Sequence, residues 1–145
     1  MSFAVDVNVL LDAANEDGER HLAARAFLDQ RVESREIFCL PWLVAMSFLR
    51  IATDARIFRA PLSAAEALRN LAALCALPQV QMVSEREGFL TAYSEVAATA
   101  ATRGRLVPDA HLATILLQNG IRTLYTSDAD FRRFRFLEVR DPVAS

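Results

Sequence analysis

VPDAHLATILLQNGIRTLYTSD, residues 107–128, holds in one stretch the two periods that decide the fold. Pro108 suits the first turn of a helix, where its missing N–H costs nothing. The apolar spacing of Leu112, Ala113 and Leu116 continues that helix to Gly120, the C′ position that favours a left-handed cap. Arg122–Thr126 then reads as a strand, and Asp128 follows it directly. Helix, tight turn, strand and a polar strand end together make one unit of a sheet covered by helices.

Working outward, the same alternation covers the chain. Phe3–Asp6 reads as a buried strand because Phe3, Ala4 and Val5 are apolar in succession rather than in alternation. A short helix follows it. Glu16–Val32 reads as an amphipathic helix with Leu22 and Ala26 on its apolar stripe and Glu19, Arg20 and Asp29 elsewhere. Ile37–Leu40 is a short strand, and Pro41 opens a helix running to about Thr53. Pro61 opens another helix in the same way, and Ser63–Ala76 carries Ala67, Leu68, Leu71, Leu74 and Cys75 on its apolar side. Val80–Val83 reads as a strand with one partly wet face, given Gln79 and Gln81. Glu87–Ala101 is helical, and Phe136–Val139 is a final short strand at a sheet edge. The order predicts a single α/β domain over residues 1–145 with helices on both faces of the sheet.

Composition supports a compact domain and removes several functions. The chain is 53% hydrophobic with four glycines and five prolines, and no run approaches the roughly 18 apolar residues of a membrane span. Asp6 interrupts the first apolar run, which carries no basic lead, so the N-terminus does not read as a signal peptide and the protein is placed in the cytoplasm. Cys39 and Cys75 lack metal-ligand or redox spacing and read as small buried hydrophobes. A net charge of −2 makes no bulk case for nucleic acid binding. All 16 basic residues are arginine. Arginine grips phosphate bidentately, but such usage equally follows from genomic base composition. The absence of lysine excludes Walker-type nucleotide hydrolases, and it leaves response-regulator and haloacid-dehalogenase-like sites without their usual lysine.

In open α/β sheets ligands bind beyond the carboxyl ends of the strands. Asp6 and Asp128 both follow strands there. Each alone is explained as a helix cap or turn former. Asp109 shifts the balance: it suits the helix dipole in the first turn, yet it shares the face of Leu112, Ala113 and Leu116 and so points inward. A buried carboxylate needs compensation. If the three aspartates converge, either their pKa values rise or a cation binds, and oxygen ligands suit Mg²⁺ or Mn²⁺. His21 and His111 are not spaced as a ligand pair, so both read as structural or surface residues. A carboxylate-held ion beside a phosphodiester can activate water and stabilise developing charge.

The order of VDVNVLLDA, LPWLVAMSFLRIATDARIF, LVPDAHLATILLQNG and LYTSDADFRRF resembles the PIN domain, and more closely the VapC toxins of VapBC toxin–antitoxin modules. The resemblance covers essentially the whole chain. It implies an α/β/α sandwich with a central, mainly parallel sheet. The implied activity is that of a metal-dependent endoribonuclease, usually dimeric and inhibited by a VapB-like antitoxin. By position it implies Asp6, Asp109 and Asp128 as metal-binding and catalytic residues. Asn8, Thr126 and Asp130 are then supporting groups.

One position departs from the family pattern. Ser47 stands on the central helix where a glutamate is usual, and Asp54 lies seven residues on, about 10 Å along the axis and too far to replace it. Ser47 is then a supporting hydroxyl that can hydrogen-bond a metal-bound water, or three carboxylates hold the ion alone; either way a lost carboxylate predicts a loosely held cation. It also motivates a competing reading, a PIN-like module that grips RNA or a protein without cleaving. A third reading keeps the nuclease and gives it DNA. Arg50, Arg56 and Arg59 near that helix, and Arg132, Arg133 and Arg135 after the closing motif, read either as a phosphate-gripping rim or as a solvated face, or as partners of the acidic site or the antitoxin. Trp42 reads as core or dimer interface rather than a base-stacking platform.

Overall fold

The computed structural model describes residues 1–143. Five strands form one sheet: β1 (Ser2–Val5), β2 (Ile37–Pro41), β3 (Val80–Val83), β4 (Thr123–Tyr125) and β5 (Glu138–Arg140), in the order β3-β2-β1-β4-β5. Every neighbouring pair is parallel. The helices are α1 (Val7–Ala14), α2 (His21–Glu33), α3 (Trp42–Ala52), α4 (Ala64–Cys75), α5 (Phe89–Thr99) and α6 (Val107–Gln118), with 3₁₀ turns at Gly104–Leu106 and Ala129–Arg133.

The sheet is central because its middle strands are buried on both faces. Phe3, Ala4, Val5, Leu40 and Leu124 are completely shielded from solvent. The Phe3 ring lies 4.9 Å from that of Phe38 and meets Tyr125 edge-on at 5.8 Å, so three adjacent strands share one aromatic cluster. Burying a side chain of this size stabilises the fold by about 1.5–3 kcal/mol. The expected wet face falls on β3, an edge strand where Gln81 is exposed, and β5 is the opposite edge.

Several boundaries and faces differ from the sequence reading. α2 starts at His21 rather than Glu16, because a turn closed by the Gly18 N–H on the Asn15 carbonyl occupies the preceding residues. Its buried face is Ala24 and Phe27, while Leu22 is 81% exposed and Ala26 also faces solvent. Starting the helix later rotates no residue, but only Ala24, Phe27 and Leu28 meet the core along this axis. In α4, Ala67 and Leu71 are buried and Leu68 turns outward. Pro41 ends β2 and caps α3 instead of entering its first turn, and Pro61 lies outside α4, which is opened by the Ser63–Glu66 capping box. β5 sits two residues later than expected, paired so that Glu138 lies opposite Thr123. Cys39 is buried as expected, whereas Cys75 is half-buried beside the Met82 sulfur.

This strand order creates the site. The chain runs from β1 outward to β2 and β3, then crosses back to add β4 and β5 on the other side of β1. The reversal falls between β1 and β4, and a crevice opens at the carboxyl ends of such a pair.

Candidate metal centre

Register brings the two strand ends level. Val5 pairs with Tyr125, so the next residues, Asp6 and Thr126, stand side by side. The Thr126 hydroxyl, 2% exposed, donates to Asp6 Oδ2 at 3.0 Å. The Thr126 hydroxyl oxygen in turn accepts from Asn8 Nδ2 at 3.0 Å and from the Asp128 N–H at 3.0 Å. One donor and two acceptor positions are thereby all used. Thr126 is therefore the junction through which the β1 end, the start of α1 and the β4 end are held together.

Asp6 has two roles at once. Its Oδ1 accepts from the Val7 N–H at 2.7 Å as the cap of α1, and its Oδ2 faces Thr126 and Asn8. Burial raises the Asp6 carboxyl above its usual range despite the hydrogen bonds from Val7 and Thr126, and the charge of Asp128 adds to the rise. Asp128 also caps: its Oδ1 accepts from the Asp130 N–H at 2.9 Å and fixes the 3₁₀ turn that follows.

Asp109 enters from the other side, in the first turn of α6 behind Pro108. The helix below it is buried at Ala110 and from Leu112 to Leu116, a broader apolar surface than a single stripe. Asp109 is half-buried and makes no side-chain hydrogen bond among the described residues. Its carboxyl is raised from 3.8 to about 6, first by burial and then by the charges of Asp128, Asp6 and Asp130, with Arg105 opposing.

Oxygen atoms of Asp109, Asp128 and Asp130 lie within 4.8 Å of one another, a spacing that can hold a metal ion. Asp6 stands beside this trio, near enough for its charge to act on Asp109. The donor set fits a hard divalent cation: all the available donors are carboxylate oxygens, and the Asp109 oxygens lack a hydrogen-bond partner among the described residues. Asp130 thus takes a more central place in the geometry than the resemblance implies.

The remaining residues divide clearly. Ser47 is half-buried on α3 and makes no side-chain hydrogen bond among the described residues. Asp54 is held by Arg56, whose Nη2 lies 3.0 Å from Asp54 Oδ2. Arg133 is spent on backbone, donating to the Asp130 and Ala100 carbonyls at 3.2 Å each. Arg50 and Arg132 are exposed. His111 pairs with Glu85 at 2.8 Å and His21 meets the Asp12 carbonyl, so both are structural. Arg105 was not singled out by the sequence. It sits in the 3₁₀ turn before α6 and donates to Asp130 Oδ2 at 3.1 Å.

The PIN-domain family model matches residues 3–137. Over 142 residues the chain is 35% identical to Ribonuclease VapC48 of Mycobacterium tuberculosis, covering 98% of each chain. It is 34% identical over 139 residues to VapC ribonuclease Mb2897 of Mycobacterium bovis, covering 96% of this chain and 94% of that one. The chain belongs to the PIN-domain family, among the VapC proteins. Its PIN fold superposes on VapBC2 from Rickettsia felis, solved bound to a promoter DNA fragment, with a TM-score of 0.71 at 12% identity over 97% of this chain and 98% of that one. Mycobacterium tuberculosis VapC20, described as a sarcin–ricin loop cleaving toxin, gives a TM-score of 0.70 at 20% identity, over 95% and 98% of the two chains. These solved structures share the PIN-like α/β/α architecture of one parallel sheet between helices.

Proposed function

We propose that this PIN domain is a metal-dependent endoribonuclease, the toxin of a type II toxin–antitoxin pair, and that Asp6, Asp109, Asp128 and Asp130 form its centre. The observation that carries this reading is the unpartnered Asp109 carboxylate facing Asp128 and Asp130 at the strand-order reversal, in a chain 35% identical to a named ribonuclease. Asp109, Asp128 and Asp130 would hold Mg²⁺ or Mn²⁺. When bound, such an ion supplies Lewis acidity for water activation and charge neutralisation at phosphorus. Asp6, kept in place by Thr126 and Asn8, orients the reacting groups, and burial raises its carboxyl above the usual range. Ser47 supplies a hydroxyl rather than a charge at the usual glutamate position, so the cation is held more weakly than by a full carboxylate set.

Two surfaces suit partners. An apolar groove of about 400 Å³ between α2 and α4, lined by Leu28, Phe48, Leu71, Leu74 and Leu77, fits an amphipathic segment such as a VapB-like antitoxin would offer. Trp42 and Met46, one turn apart on α3 and each about half exposed, fit a homodimer contact. Among the described residues no helix is long and apolar enough to cross a membrane, in keeping with a cytoplasmic site of action.

The direct test is cleavage of cellular RNA by antitoxin-free protein in Mg²⁺ or Mn²⁺, against the same protein in chelator. RNA fragments only in the metal arm are expected. Intact RNA in both arms, while a related VapC cuts in parallel, would overturn the reading; a duplex or single-stranded DNA arm identifies the substrate polymer.

A further inference from the structure

A centre of four carboxylates presents a problem to a phosphodiester. One divalent ion cancels two of those charges, so an anionic substrate still meets a negative site unless a further cation lies at its rim. Of the arginines nearest in sequence, Arg132 is exposed and makes no side-chain hydrogen bond or ion pair with the acidic trio among the described residues. Arg133 is committed to the Asp130 and Ala100 carbonyls, and Arg56 is paired with Asp54 on another element.

Arg105 does lie at the rim. Its Nη1 is anchored on Asp130, an oxygen donor of the acidic trio, while 79% of the side chain faces solvent. A guanidinium has five N–H donors in a planar fork, and here one of them is used on the carboxylate. The anchor sets the direction of the fork, and the free edge is available for a second anion, a phosphate included. The positive φ of Gly104, 59°, directs the chain into the turn that carries Arg105 to this position.

We propose that Arg105 binds the scissile or an adjacent phosphate of RNA, with Asp130 acting as both acidic donor of the centre and tether of the arginine. This rests on the nuclease reading above and adds its substrate-positioning residue. Arg105 contributes to substrate binding at the rim and leaves the acidic trio intact when removed.

The test compares wild type, Arg105→Ala, Arg105→Lys and Arg69→Ala, the last removing an equal charge from α4. Fluorescence anisotropy of a short labelled RNA in Mn²⁺, cleavage kinetics over a salt series, Mn²⁺ titration and thermal melting are measured on each. For Arg105→Ala the expected results are at least a roughly tenfold loss in kcat/KM, weaker RNA binding, and a salt slope shallower by about 0.7, one single-strand phosphate contact. Arg105→Lys recovers part of the binding because it restores charge without the fork. Mn²⁺ affinity and melting temperature stay at or above wild type, and Arg69→Ala matches wild type. If wild type cleaves and Arg105→Ala equals it in kcat/KM and salt slope, or if Arg105→Ala loses Mn²⁺ affinity, the assignment is overturned while the nuclease reading stands. A wild-type protein that neither binds nor cleaves RNA overturns both.

Discussion

The two ends of α6 treat polar side chains in opposite ways. At the C-terminal end every amide is used: Asn119 Nδ2 donates to the Ser84 and Ile115 carbonyls at 3.0 and 2.8 Å, and Gln118 Oε1 accepts from the Arg86 N–H at 2.9 Å. Between the two ends, Glu85 of the same loop is held below its usual range, first by its backbone N–H and then by His111. At the N-terminal end Asp109 has no such partner and is raised to about 6. A fold that satisfies one end so fully and leaves the other short is organised for stability at the first and for a ligand at the second.

Substitution is the strongest way to break this comparison. Asp109→Ala and Asp128→Ala should each lower RNA cleavage by about 10³-fold or more, abolish growth inhibition, and leave the far-ultraviolet spectrum unchanged. In chelator at neutral pH, Asp109→Asn should melt above wild type because repulsion is relieved. Lower melting would mean that Asp109 has a structural partner after all. At the other end Asn119→Ala should behave inversely, losing about 1–3 kcal/mol in denaturant titration with the cleavage rate of the folded fraction retained.

Acidity sharpens the same contrast. Because the folded state raises Asp109 from 3.8 to about 6, it holds a proton there that the unfolded chain has released. Metal-free stability should therefore fall as pH rises through that window and level off above it. Burial of Asp6 adds in the same direction. Mn²⁺ should bind more tightly as pH rises through about 6, since ligation requires the deprotonated form. Urea midpoints from pH 4 to 8, with and without Mn²⁺, measure both; a metal-free midpoint that climbs across this range would contradict the origin of the shift. The smallest effect belongs to His111→Gln. It loses a partly exposed pair with Glu85 and should change stability by less than about 1 kcal/mol.

Much of this was legible beforehand, for reasons particular residues make plain. The buried run Phe3–Val5 and the Pro108-to-Gly120 helix carry local signals strong enough to place strand, helix and strand end, and those fix where Asp6, Asp109 and Asp128 emerge. Leu22 and the start of α2 were misread because the turn at Asn15–Gly18 and the packing of Phe27 against Tyr125, 4.6 Å between ring centres, depend on contacts distant in sequence. Arg105 escaped notice for a similar reason. An exposed arginine in a turn has no periodic signal, and its meaning comes from Asp130, 25 residues away. The rank of Asp130 in the trio likewise follows from the 3₁₀ turn that Asp128 caps, which spacing alone does not reveal.

The position of β1 at the middle of the sheet has a consequence for synthesis. β1 emerges first, and with β2 and β3 it can complete only one side of the sheet; its other neighbour, β4, begins at Thr123. Parallel pairing between segments this far apart closes late. Asp6 is therefore made long before Asp109, Asp128 and Asp130 can join it, and a growing chain carries no assembled centre until β4 and the turn after it have been made and have docked beside β1.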